Sequence, residues 1–88
     1  MQTIWKFPLD VTGYQRVNMP AKAKILCVQT QGGYPCLWAQ VESTSEVEPR
    51  AFVIAGTGHP QDTGGKYIGT FQLHGGELVF HAFEVEVR

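Results

Sequence analysis

Apolar and polar residues alternate with a period of two in short runs along this chain, and glycine or proline ends most of the runs. A two-residue period is that of a strand, whose side chains point to opposite faces in turn, and no run carries the 3.6-residue period of a helix. The pattern therefore predicts an all-β protein. "TIWKFPL" is a first strand interrupted by Pro8, which implies an edge position or a bulge because proline cannot donate to a ladder. "YQRVNMP" follows as a second short strand ending at Pro20. "AKILCVQTQ" then runs into "GGYPCLWAQVES" across Gly32-Gly33, a pair that supplies the positive φ angles of a two-residue hairpin loop. After a polar acidic connection, Ser43 to Pro49, comes "RAFVIAG", and "KYIGTFQL" and "ELVFHAFEVEV" form a second hairpin around Gly75-Gly76. The expected architecture is a small antiparallel sandwich or barrel of about six to seven short strands. One domain is expected over residues 1–88, since 88 residues cannot sustain two cores.

Parity along these strands assigns the faces. With Gly32 and Gly33 as the loop, Gln31 faces Tyr34 and Cys27 faces Trp38, so Ile25, Cys27, Cys36 and Trp38 share one face. Leu26, Val28, Leu37, Ala39 and Val41 share the other. Both faces are apolar, which calls for cover on both sides and points to a homo-oligomer. Farther on, Phe52 and Ile54 oppose Ala51, Val53 and Ala55. In the last strand Val79, His81, Phe83, Val85 and Val87 lie on one side, and Leu78, Phe80 and Ala82 lie with Glu84 and Glu86 on the other. Leu78 and Phe80 are expected to meet a second subunit.

Composition narrows the function classes. The formal net charge is −1, so there is no basic footprint for a DNA or RNA backbone. The hydrophobic share of 43% excludes disorder, and the 17% charged fraction, low for a soluble surface, again suggests a partner chain. Two cysteines do not make a disulfide framework, and with three scattered histidines they lack the paired spacing of a metal site. "MQTIWKFPLDV" has no basic stretch followed by an apolar run, and no segment is apolar enough to span a membrane, so a cytosolic protein with reduced thiols is expected.

"VIAGTGHPQDTGGKYIGT", Val53 to Thr70, holds five of the ten glycines. Glycines at 56, 58, 64 and 65 leave backbone amides unencumbered, and such amides can gather as an anion nest. Lys66 adds a positive charge, and His59 can donate to phosphate or ribose oxygens, with Asp62 three residues on to orient it. The spacing matches neither a P-loop nor a dinucleotide fingerprint, and no cofactor is implied. The plainer reading of the segment is a long hairpin connection. His74 in "HGG" reads as solvated and His81 as a satisfied core or interface histidine, leaving His59 as the histidine of interest. Trp38 and Tyr67 are aromatic surfaces with a polar handle suited to a partly wet site, whereas Trp5 reads as core. The candidate pocket comprises Trp38, Gly56, Thr57, Gly58, His59, Lys66 and Tyr67, with no catalytic residue and no metal ligand assigned.

Taken in order, "MPAKAKILCVQTQGGYPCLWAQV", "FVIAGTGHP" and "GKYIGTFQLHGGELVFHAFEV" resemble a family of small phage proteins carrying a domain of unknown function, with Lys22 departing from the small or acidic residue of that pattern. The resemblance covers nearly the whole chain and implies action in the cytoplasm of an infected bacterium. By analogy of size, setting and loop chemistry, the expected role is an anti-defence protein that sequesters a phosphorylated, nucleotide-derived immune signal without cleaving it. The alternative is a protein-binding module that inhibits a host enzyme or forms a minor virion component. A small hydrolase with His59 as general base ranks third.

Overall fold

The computed structural model describes residues 1–11, 13–61 and 63–88. Among these residues, seven strands form two antiparallel sheets: β1 (Gln2–Pro8), β2 (Tyr14–Pro20), β3 (Lys24–Gln31), β4 (Tyr34–Glu42), β5 (Val47–Gly56), β6 (Lys66–Leu73) and β7 (Leu78–Val85). The first sheet has the order β1-β4-β3 and the second β2-β5-β7-β6. The all-β expectation holds, with one short 3₁₀ turn, His74–Gly76, closing the β6–β7 hairpin.

Parity decides the core. Leu37, Ala39 and Val41 of β4 meet Phe52 and Ile54 of β5, Ala82 of β7 and Phe71 and Leu73 of β6 in one buried cluster, with Phe7, Val17, Ile25, Ile68 and Phe80 packed against it. Phe52 is fully buried, and at about 25 cal/mol per Å² its side chain alone contributes roughly 2 to 3 kcal/mol. The Cα extents of 39 × 28 × 16 Å are those of two sheets stacked face to face.

The Gly32-Gly33 hairpin has the expected register, Gln31 opposite Tyr34 and Cys27 opposite Trp38. Both glycines have positive φ and open space where a side chain would stand. One face assignment is corrected. A bulge between Ile25 and Cys27 inverts the parity before it, so Ile25 packs on the core and Leu26 is 43% exposed. The last strand needs a second correction, because Phe80 and Ala82 face the core. Phe80 stacks on Phe71 with ring centroids 5.6 Å apart, so of the two residues expected at a subunit contact only Leu78 is exposed. Cys27 and Cys36 are both free thiols.

The glycine-rich segment departs furthest from expectation. β5 and β6 both run antiparallel to β7, which lies between them, so they are parallel to each other and residues 57–65 cannot be a hairpin. Gly56 lies opposite Phe80, whereas Lys66 lies opposite Glu84. The connection must therefore travel about 13 Å along β7, at roughly 3.3 Å per residue, before β6 begins. It runs over the face turned away from the core. There a Cβ on Gly65 would lie 2.1 Å from the Glu84 carbonyl oxygen and 2.7 Å from Val85 Cγ1, and Gln61 reaches the position of a Cβ on Gly13. Ala51, Val53 and Ala55 are buried although they lie outside the core cluster, on the other face of β5.

Candidate functional site

Two β-bulges face each other across the seam between the sheets. One displaces Leu26 in β3, and the other, between Tyr67 and Gly69, inserts Ile68 in β6. Beyond the bulges the two edge strands approach closely: a Cβ on Gly69 would meet Val28 Cγ1 at 3.0 Å, and Thr30 Oγ1 donates to the Gln72 carbonyl at 2.8 Å. At the bulges the strands part, leaving a groove of about 240 Å³ lined by Ala23, Lys24, Ile25, Leu26, Arg50, Lys66, Tyr67, Ile68 and Glu84. Bulges re-aim side chains and end pairing, which opens this corner of the sandwich.

Arg50 links the two sheets across the groove. Its Nε and Nη2 donate to the Glu84 carboxylate at 2.6 and 3.0 Å, and its Nη1 donates to the Ala23 carbonyl at 2.8 Å. Both partners of the ion pair are only about a fifth exposed, 21% and 23%. Hydrogen bonding to Glu84 raises the Arg50 pKa above its ordinary value, against the opposing effect of burial, so the guanidinium is always charged. A guanidinium has five N–H donors, of which these contacts engage three. The lining thus carries three cations, Lys24, Arg50 and Lys66, to one carboxylate, in a chain whose net charge is −1. The lining is therefore electropositive, and the two lysines at its rim are exposed.

The seven residues expected to share one pocket are spread over three places. Trp38 is opposite Lys6 and Cys27 on the three-stranded sheet, with the parity that points away from the core and from the other six. Gly56, Thr57 and His59 line a separate cavity of about 400 Å³ with Glu77, Leu78, Val79 and Phe80. Gly58 has φ +81° at the tip of that turn. The Thr57 amide donates to the Val79 carbonyl at 3.1 Å and the His59 amide closes the turn on the Gly56 carbonyl at 3.0 Å, so these two amides are engaged internally rather than aimed together at a ligand. Lys66 and Tyr67 alone belong to the cationic groove. Asp62 lies outside the described residues.

Lys24, Arg50, Glu84, Thr70 and His81 were not singled out by the spacing of residues along the chain. Arg50 and Glu84 meet across 34 positions, and only the register of β5 with β7 brings them together. His81 is half-buried with both ring nitrogens engaged, Nε2 with Thr57 Oγ1 at 2.7 Å and Nδ1 with Thr70 Oγ1 at 2.9 Å. Thr70 Oγ1 in turn meets the Tyr67 hydroxyl at 2.6 Å. The ring is satisfied as expected, but His81 has the parity opposite to the core-facing Ala82, and it joins two residues of the predicted pocket, Thr57 and Tyr67, in one hydrogen-bonded chain.

Among the described residues no group of His, Cys, Asp or Glu is arranged to hold a metal ion, and no helix is long and apolar enough to cross a membrane. No curated protein and no solved structure matches the chain. A family model matches residues 1–88, and the chain belongs to the family described as a domain of unknown function, DUF7352.

Proposed function

We propose that this chain is a binding protein for a small phosphorylated ligand of the nucleotide type, taken up in the groove between β3 and β6 and released unchanged. The observation that carries the reading is the convergence of Lys24, Arg50 and Lys66 on one opening that contains a single carboxylate. That carboxylate is already bonded by Arg50, so the two lysines are the charges offered to an incoming anion. At about 240 Å³ the groove is smaller than sites that enclose a drug-sized molecule, and it suits a phosphate with the sugar beside it. Tyr67 stands at the lip, 55% exposed, its ring held edge-on to Phe83 at 5.6 Å. An exposed, oriented ring of this kind suits a base, whose stacking is worth about 1 to 3 kcal/mol. In the setting implied by the resemblance, an infected bacterium, the protein would withhold a nucleotide-derived immune signal, working as a homo-oligomer in the host cytoplasm.

The test is calorimetry with AMP, ADP-ribose and a cyclic dinucleotide, followed by recovery of the bound compound by heating. At least one should bind, return chemically intact, and lose tenfold or more in affinity in the Lys24→Ala/Lys66→Ala double variant but not in His59→Ala. A chemically altered product would establish a hydrolase instead. A second reading, a protein-binding module, is favoured by β1, a nearly fully exposed strand at the edge of its sheet that presents Ile4 at 58% and Trp5 at 40% exposure. Retention of one host protein by the wild type and not by Ile4→Asp, with no effect of the lysine substitutions, would support it.

A further inference from the structure

Four strands are sheet edges: β1 and β3 in one sheet, β2 and β6 in the other. β3 and β6 cover each other, with Val28 against Gly69 and Thr30 Oγ1 donating to the Gln72 carbonyl. β1 has no such cover among the described residues. It is exposed from Gln2 to Lys6, and Lys6 is its one charged side chain, whereas the other uncovered edge, β2, presents Arg16 and Asn18.

The backbone groups β1 leaves free follow from its ladder with β4. The Met1 carbonyl accepts from the Ser43 amide at 3.1 Å and the Leu9 amide donates to the Pro35 carbonyl at 2.9 Å, in line with the unbroken register from Gln2 opposite Glu42 to Pro8 opposite Cys36. Bonded and non-bonded pairs alternate in an antiparallel ladder, so Thr3, Trp5 and Phe7 also turn their N–H and C=O groups to β4. Gln2, Ile4, Lys6 and Pro8 turn theirs outward. Proline has no N–H to leave unpaired, which suits Pro8 to the outward set.

We propose that β1 pairs antiparallel with β1 of a second copy, about a two-fold axis through Ile4, joining two three-stranded sheets into one. Ile4 then lies opposite Ile4 and Gln2 opposite Lys6, each pair exchanging two hydrogen bonds, about six in all. In this register alone the three residues pair entirely among themselves. An axis through Trp5 would set Pro8, which has no donor, against Gln2, and an axis through Lys6 would oppose two lysines. The side chains agree on both faces. On the outward face the two Ile4 side chains meet directly, and each Lys6 faces a neutral Gln2 with the Glu42 carboxylate next in the row. Trp5 lies opposite the buried Ala39, on the core side, yet it is 40% exposed. Across the axis the two Trp5 residues become diagonal neighbours about 7 to 8 Å apart, within reach of aromatic rings. A strand that complements itself in hydrogen bonds, charge and apolar contact meets the requirement of an isologous interface, and this selects a second copy over an unrelated strand.

Sedimentation equilibrium of the full chain, without ligand, tests this over about 10 µM to 1 mM, where interfaces of small area assemble. The wild type should pass from monomer to dimer. Ile4→Lys and Ile4→Glu, checked for unchanged far-UV circular dichroism, should stay monomeric because like charges meet at the axis. Their equimolar mixture should associate about tenfold more tightly than either alone. Leu78→Lys, at the exposed start of β7, should dimerise as the wild type does. A wild type that stays monomeric at the highest concentration, a dimer undiminished in Ile4→Lys, or one lost in Leu78→Lys would overturn the β1 interface. A mixture no tighter than its components would overturn the register about Ile4. Neither Lys24 nor Lys66 takes part, so the outcome is independent of anion binding at the groove.

Discussion

The two ends of the connection between β5 and β6 are both rich in glycine, yet the structure uses the glycines differently. At the Gly56–His59 end, Gly58 takes a positive φ in open space and completes a turn whose flanking amides bond to carbonyls of the chain itself. At the Gly64–Lys66 end, Gly65 has no positive φ, and its lack of volume lets the backbone lie directly on the Glu84 carbonyl. The first end turns the chain, and the second seats it against β7 and starts β6 with Lys66 at the rim of the cationic groove. The lesson is that exposed glycine amides are not sufficient for an anion nest. What matters is where the neighbouring N–H groups are already committed, and which charges the next residues bring.

Substitutions separate the two roles, beginning with the largest expected effect. Gly65→Ala places a methyl group 2.1 Å from a backbone oxygen of a central strand, so it should destabilise by about 3 kcal/mol in urea unfolding. A loss under 0.5 kcal/mol would show that the connection does not rest on β7. Arg50→Met at the groove floor leaves the partly buried Glu84 carboxylate without its partner, and it should cost about 2 kcal/mol, between the exposed and fully buried limits for such pairs. The Arg50→Met/Glu84→Leu double variant should recover part of that loss. Gly58→Ala meets only an unfavourable backbone conformation, and about 1 kcal/mol is expected. Lys24→Ala/Lys66→Ala should leave stability within about 0.5 kcal/mol and weaken anion binding, because both side chains are exposed.

The same contrast marks how far the sequence carries. Period-two alternation was enough for the all-β class, and the Gly32-Gly33 hairpin appears with its expected register because a two-residue loop fixes every pair that follows it locally. Where a bulge intervened, as at Leu26, parity alone chose the wrong face, and Ile25 and Leu26 exchanged roles. The path of residues 57–65 was illegible for a different reason. A hairpin and a crossover have the same local composition, and only the placement of β7 between β5 and β6 distinguishes them. The candidate site followed suit. Lys66 and Tyr67 are neighbours in sequence and remain neighbours at the groove, whereas Trp38 was separated from them by the sandwich. Lys24, Arg50 and Glu84 came from three strands, and His81 was set aside because an alternating apolar context hides the hydroxyls that β6 and the β5–β6 connection bring to it.

The proposed anion site lies at the bulge-lined groove and not at the glycine turn. A two-dimensional amide NMR titration with AMP tests it most directly. The account predicts shift changes concentrated at Lys24 to Leu26, Arg50, Lys66 to Ile68 and Glu84, and abolished in the Lys24→Ala/Lys66→Ala variant. Changes confined to Gly56 through His59, undisturbed by the loss of both lysines, would contradict it.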